Sequence, residues 1–219
     1  MVHDLPSGSG GNDVWISFAE EPDYSILPPS SELIPDDNEG RYEAWSAALN
    51  ASEEWIRATA FPHLEYDDAA FFTHDLGVLR LSEPVNLPEY GQVPTLGLLD
   101  ELYREDKQQP YTAVGYGLEG SGPKTSFGGD TRRRAELRLV SLNGVLGAGK
   151  GTSAKFSSNA NTGGTCFGDS GGPIFVSGTT TLVAVVSFGT SSTCSGTGGA
   201  YRLDQADDLA FLKTFGITP

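Results

Sequence analysis

The stretch that decides the fold reads Cys166-Phe167-Gly168-Asp169-Ser170-Gly171-Gly172-Pro173. Ser170 stands between glycines and follows an aspartate, so it can lie on a tight turn with its hydroxyl exposed. The backbone N–H groups of Gly168 and Ser170 can then point at one position, where they would stabilise an oxyanion during acyl transfer. The stretch therefore predicts a nucleophile at Ser170 and an oxyanion hole formed by Gly168 and Ser170. A structural Gly/Ser turn is the alternative.

These residues resemble the nucleophile loop of trypsin-like (chymotrypsin-fold) serine proteases, whose signature is Gly-Asp-Ser-Gly-Gly-Pro. A second stretch, residues 73–81, resembles the segment of that family in which an aspartate heads an apolar strand. The resemblance implies that Asp75 orients the catalytic imidazole, with an ordinary loop aspartate as the alternative. It also implies an all-β fold of two antiparallel six-stranded β-barrels with a C-terminal helix, and serine endopeptidase activity that needs no cofactor.

Short runs rich in Val, Thr and aromatic residues alternate with glycine turns, which is the pattern of antiparallel barrels. Strands are predicted at residues 14–18, 76–81, 111–115, 135–142, 173–176, 181–188 and 199–203. Apolar residues near helical spacing predict an inserted helix near residues 42–57. A final helix follows Asp204, which is predicted to cap it.

We expect an N-terminal barrel over residues 1–105, with an insertion at 20–60, and a C-terminal barrel with the terminal helix over 106–219. The family's catalytic histidine lies in a Thr-Ala-Ala-His-Cys or Thr-Ala-Gly-His-Cys motif, and this chain has no such motif. The first barrel is therefore predicted to be incomplete. The first six residues also lack the basic and apolar pattern of a signal peptide, which agrees with a missing N-terminal portion.

The chain offers three histidines as the general base. His74 adjoins Asp75, and neighbours in an extended strand point to opposite faces, so both cannot enter one triad. His63 resembles a histidine of the family's surface loop that is not catalytic. His3 remains as the predicted base, with a frayed terminal histidine as the alternative.

The resemblance also indicates a substrate pocket. Its floor falls at Gly164, its walls include Gly189 and Gly199, and Ser187 pairs with the substrate backbone and helps to hold Asp75. None of these residues is charged, so the pocket is predicted to accept a large apolar P1 residue, with the absence of a single preference as the alternative.

The chain has two cysteines, Cys166 and Cys194, which by number alone could be two buried thiols. In the family that the chain resembles, cysteines at these positions form a disulfide beside the substrate pocket. That implies an oxidising compartment and a secreted protein. In the family a terminal ammonium pairs with the aspartate before the serine. No activation site is recognisable here, so Asp169 is expected to lack an identifiable partner.

The net charge of −15 and the pI near 4.4 argue against nucleic acid and anionic membranes as partners. No apolar run reaches the length of a membrane span, and no metal-binding cluster of histidines or cysteines is recognisable. We therefore expect a monomer that acts on peptides or proteins. The rival function is that of a catalytically inactive protease homologue acting as a binding module.

Overall fold

The computed structural model describes residues 2–4, 12–29, 38–70, 72–122, 124–144 and 150–219, and for residues 2–4, 38–39 and 68 it describes only the backbone. The chain divides into two compact units. The first comprises residues 1–61 and 77–86, and the second comprises residues 62–76 and 87–219. Residues 62–76 and 87–105, which we expected in the N-terminal barrel, are thus grouped with the second unit.

The first unit contains a four-stranded sheet in the order β1-β2-β3-β4. Its strands are β1 (Val2–Asp4), β2 (Asp13–Ser17), β3 (Trp55–Pro62) and β4 (Gly77–Leu81). The sheet buries Trp15 and Trp55 together with Leu49 of the inserted helix. These large side chains supply the apolar area that stabilises a small unit.

The inserted helix is present as α1 (Asn38–Ala51), so its predicted end near residue 57 is wrong. The chain turns after Leu49, whose carbonyl accepts the N–H of Ser52 (3.2 Å), and Trp55 and Ile56 lie in β3 opposite Ser17 and Ile16. The helical spacing of Trp45 and Trp55 misled the sequence prediction. Trp55 reaches the same core as α1, but it does so from a strand.

The second unit contains a closed six-stranded antiparallel barrel in the order β10-β11-β12-β9-β8-β5. Its strands are β5 (Pro110–Gly115), β8 (Arg133–Ser141), β9 (Ser153–Ser158), β10 (Pro173–Val176), β11 (Leu182–Gly189) and β12 (Gly196–Arg202). A separate two-stranded ribbon joins β6 (Leu118–Ser121) to β7 (Ser126–Gly128). Leu137 and Leu139 of β8 are buried, whereas Val140 is exposed, so this strand alternates as expected.

Two helices complete the described part of the second unit, α2 (Leu98–Glu105) and α3 (Ala206–Lys213). Asp204 does not cap α3 as predicted, since Gln205 occupies that position. The Asp204 carboxylate instead accepts the N–H of Leu99 (2.8 Å) in the first turn of α2. Helix N-termini have unsatisfied N–H groups, and here a residue 105 positions away supplies the acceptor.

Among the described residues, no helix has the length and hydropathy required to cross a membrane.

Candidate active site

Ser170 lies on an exposed turn immediately before β10. Gly168 (φ 96°) and Gly171 (φ 78°) both adopt left-handed backbone conformations that disfavour other residues. The turn is anchored to β11, because Gly171 donates its N–H to the carbonyl of Val186 (2.7 Å) and Gly172 accepts the N–H of Val186 (2.8 Å). The glycine pattern thus produces the predicted presentation of the Ser170 hydroxyl.

Asp169 closes the base of this turn. Its Oδ2 accepts the N–H of Cys166 (2.8 Å), and its Oδ1 accepts the N–H of Gly117 (2.9 Å) in the loop between β5 and β6. The expectation that this carboxylate lacks an identifiable partner is therefore wrong. Two backbone donors stabilise it, and the acceptor-only carboxylate in turn fixes the conformation of the residues before Ser170.

Room for the Asp169 side chain depends on two glycines. A Cβ placed on Gly115 would lie 2.0 Å from Asp169 Oδ1, and a Cβ placed on Gly117 would lie 2.7 Å from the same atom. Such distances are far inside van der Waals contact, so any other residue here would displace the carboxylate.

We expect Gly115→Ala to lower the free energy of unfolding by about 1–3 kcal/mol and to reduce any catalytic activity, because the displaced Asp169 would lose the Gly117 N–H. Urea denaturation and a hydrolysis assay measure the two effects. Gly91→Ala is the matched control, since its added Cβ would meet its nearest atom at 3.6 Å, an ordinary contact. Equal stability and equal activity of Gly115→Ala and Gly91→Ala would contradict the close packing of Asp169 against Gly115.

Asp75 is held by the same strand that anchors the serine turn. The Ser187 hydroxyl donates to Asp75 Oδ2 (2.5 Å) across a separation of 112 residues, as the sequence led us to expect. Val186, the preceding residue of β11, bonds to Gly171 and Gly172 beside Ser170. Strand β11 therefore brings Asp75 and Ser170 into one region of the second unit, with Asp75 half-buried and Ser170 exposed.

The two histidines with described side chains lie against other partners. His74 Nδ1 is 3.4 Å from Asp207 Oδ2 and its Nε2 is 3.6 Å from Glu65 Oε2. The His63 ring stacks on His74, with 4.7 Å between ring centroids, and its Nδ1 accepts the N–H of Glu65 (3.2 Å). No bond of either ring to Asp75 or Ser170 is found among the described side chains. His3 lies in β1 opposite Trp15, and its side chain is outside the described part of the chain.

A carboxyl group is buried beside this histidine pair. Asp208 is fully buried and accepts the Tyr201 hydroxyl at 2.9 Å and 3.0 Å. Burial raises the pKa of Asp208 to about 7, and the neighbouring Asp207 adds to the rise. Burial also raises the pKa of Tyr201, so its proton stays on the hydroxyl and the bond persists.

The disulfide between Cys166 and Cys194 is confirmed. It lies between two clefts of the second unit, since both cysteines line each of them. The first cleft is open to solvent and contains Ser170. Its other lining residues carry no charge: Ser158, Thr165, Phe167, Val186, Phe188, Gly189, Thr190, Ser191, Thr197 and Gly198.

The predicted pocket residues fall in different places. Gly189 lines the cleft that contains Ser170. Gly164 lines the second cleft, and Gly199 lies under the ring of Phe188, whose Cε2 would be 2.2 Å from an added Cβ. Their sequence neighbours Thr165 and Gly198 line the first cleft instead.

Sequence reasoning did not find the grouping of His63, Glu65 and His74. Ligand atoms of these three residues all lie within 4.8 Å of one another. The signal was weak, because His63 and His74 stand 11 positions apart in a loop rather than at the regular spacing of a helical or finger-type metal motif.

The sequence was compared with models of known protein families and with curated proteins. The sequence model of the family described as Trypsin matches residues 40–209. A search of curated protein sequences finds no match.

Three solved structures share the fold. Mouse neuropsin, named as a serine protease expressed in the limbic system, is 19% identical to this chain, with a TM-score of 0.58. The match covers 75% of this chain and 80% of the neuropsin chain. HL collagenase is 17% identical over 77% of this chain and 72% of its own, with a TM-score of 0.57. A mutant of human heparin binding protein (CAP37) is 16% identical over 76% and 70%, with a TM-score of 0.55.

Proposed function

The chain belongs to the trypsin family, and on that premise we propose that it is a serine endopeptidase with Ser170 as its nucleophile. The observation that carries the proposal is the arrangement around β11. This strand holds the exposed Ser170 turn through Val186 and holds the Asp75 carboxylate through Ser187. A nucleophile and an orienting acid that are held by the same strand correspond to the two ends of a Ser/His/Asp relay.

In the proposed reaction the Ser170 hydroxyl attacks the carbonyl carbon of the scissile peptide and gives its proton to an imidazole. Asp75 orients that imidazole and stabilises its charged form, with one oxygen already engaged by Ser187. The N–H groups of Gly168 and Ser170 stabilise the oxyanion, and the imidazole then protonates the leaving amine. Water hydrolyses the resulting acyl-enzyme, which regenerates Ser170. His3 is the proposed imidazole.

The walls of the first cleft support a preference for uncharged, apolar P1 side chains. Phe188, Val186 and Phe167 contribute apolar surface, and no lining residue bears a charge that would pair with arginine or lysine. Burying an unpaired cationic side chain there would be costly. A cleft without a single preference is the alternative, and a panel of peptides that differ only at P1 separates the two.

The substrates in this proposal are peptides or proteins, and the enzyme acts as a secreted monomer. The Cys166–Cys194 disulfide supports an oxidising compartment.

The alternative function is that of an inactive homologue that binds peptides without cleaving them. The position of the described histidines favours this alternative, because the rings of His63 and His74 bond to partners other than Asp75 and Ser170. Without a base, the Ser170 hydroxyl would be a poor nucleophile at neutral pH.

A fluorophosphonate probe tests the proposal, since it reacts only with an activated serine. We expect one phosphonyl adduct per folded chain, mapped by peptide mass spectrometry to Ser170, and none after heat denaturation. Folded protein without an adduct would support the binding module. An adduct on a different serine would contradict the assignment of the nucleophile.

A further inference from the structure

Two imidazoles and two carboxylates converge where the segment before Asp75 meets α3. His63 is only 8% exposed, whereas the side chains of His74 and Glu65 are 23% and 71% exposed. Glu65 Oε2 lies 3.6 Å from His74 Nε2, and Asp207 Oδ2 lies 3.4 Å from the opposite ring nitrogen. The group is thus buried at one end and open to solvent at the other, as an accessible ion site requires.

We propose that His63, Glu65 and His74 bind Zn²⁺, with Asp207 supporting His74 from outside the coordination shell. Two imidazoles and one carboxylate form a donor set that suits Zn²⁺ better than Ca²⁺ or Mg²⁺, which prefer oxygen ligands. Three protein ligands leave the fourth position to water or to another ligand.

The spacing of the donor atoms fits this ion. Metal–ligand bonds of about 2.0–2.2 Å at a tetrahedral angle place neighbouring ligand atoms about 3.3–3.6 Å apart. The 3.6 Å between His74 Nε2 and Glu65 Oε2 meets that condition. His63 completes the set, because its ligand atom lies within 4.8 Å of the other two. A small rotation of the exposed Glu65 side chain brings its oxygen to the ion. One imidazole also has to turn out of the His63–His74 stack, so that a nitrogen of each ring faces the ion.

The two ring nitrogens of His74 face two carboxylates. Its Nδ1 is a buried atom for which no hydrogen bond is found among the described residues, although Asp207 Oδ2 lies 3.4 Å away. A small rotation of the ring lets the Nδ1 proton reach Asp207 and leaves the lone pair of Nε2 free on the side of Glu65. Zinc-bound histidines commonly donate their second ring N–H to a carboxylate in this way.

Binding also replaces one hydrogen bond at His63. Its Nδ1 accepts the Glu65 N–H, so a neutral ring carries its proton on Nε2. Coordination through Nδ1 replaces this bond directly, and coordination through Nε2 moves the proton to Nδ1 and also breaks it. The 3.2 Å bond is exchanged for a metal bond, and the net charge of −15 favours cation uptake.

Cobalt(II) is the probe, because tetrahedral Co²⁺ absorbs visible light intensely and Zn²⁺ displaces it. Titration of the intact chain should show one Co²⁺ per chain with a tetrahedral spectrum that Zn²⁺ abolishes. Zn²⁺ should also raise the melting temperature, because an ion that binds only the folded chain stabilises it. Neither readout involves hydrolysis, so their failure would leave the proposed peptidase function unaffected.

Glu65→Gln is the decisive variant, since this exposed side chain can change without disturbing the fold. We expect it to weaken Co²⁺ binding by about 10-fold or more while the melting temperature without metal stays at the wild-type value. Glu119→Gln removes one carboxylate of another exposed ion pair in the same unit and should bind Co²⁺ like the wild type. Absence of a tetrahedral spectrum, or equal affinity in both variants, would overturn the proposal.

Discussion

Ser170→Ala is expected to lower kcat/KM for peptide hydrolysis by at least about 10⁴-fold. In the proposed reaction the variant removes the one oxygen that forms the acyl-enzyme bond, and the proposed oxyanion donors and substrate binding would leave only a small residual part of the catalysis. The side chain is exposed on its turn, so the loss of the hydroxyl should leave the free energy of unfolding nearly unchanged. Hydrolysis of a chromogenic peptide with an apolar P1 residue measures the rate, and thermal melting measures the fold.

Ser126→Ala is the matched control for this experiment. Ser126 is an exposed serine of β7 in the same unit and does not line the cleft that contains Ser170. It should retain activity within a factor of about two, as expected for a surface substitution. If Ser170→Ala hydrolysed the peptide at the wild-type rate, a group other than the Ser170 hydroxyl would perform the attack. An inactive wild type that still binds peptide would favour the binding module.

Arg202→Met is expected to lower the free energy of unfolding by about 3–5 kcal/mol. Arg202 is 2% exposed, and its guanidinium donates from Nε and Nη2 to the two oxygens of Asp204 (both 2.9 Å), which is itself fully buried. Nη2 also donates to Asp100 (2.5 Å) in α2. Methionine keeps an unbranched apolar stem but leaves the Asp204 carboxylate as an uncompensated charge in the interior.

Urea denaturation measures this effect, and Arg133→Met is its matched control. Arg133 is 61% exposed and lies 3.4 Å from Glu119, so solvent screens the pair and its loss should cost less than about 1 kcal/mol. Adding Asp204→Asn to Arg202→Met should recover part of the lost stability, because the unpaired charge is removed. Equal midpoints for Arg202→Met and Arg133→Met would contradict the role assigned to the buried pair.

Much of the fold was predictable because strands and turns carry local signals. The predicted strand at residues 111–115 is Pro110–Gly115, and the one at 173–176 has the predicted bounds. Errors arose where tertiary contacts overrode local pattern. Trp55 continues the helical spacing of α1 but is buried as part of β3. Asp204 is of a residue type that commonly caps the helix after it, but its carboxylate accepts a hydrogen bond from α2 instead.

In the candidate site, too, some features were predictable from neighbouring residues and others depended on tertiary contacts. The turn at Ser170 follows from adjacent residues, since glycines at 168 and 171 permit the left-handed conformations that expose the serine. Resemblance to the trypsin family supplied Asp75 and Ser187, and the structure places them in contact. One donor to Asp169, Cys166, lies three positions away, but the other had no local signal, because Gly117 lies 52 positions away.

Neighbouring residues in the chain thus determine the glycine turn and the strands, because backbone sterics and alternating burial act over a few residues. Short motifs of neighbouring residues also identified the family. The closed barrel decides the rest. It sets which distant groups meet, so that Ser187 reaches Asp75, Gly117 reaches Asp169 and Arg202 reaches Asp100. Strand register determines those contacts, and register depends on how the whole sheet closes rather than on any short stretch of chain.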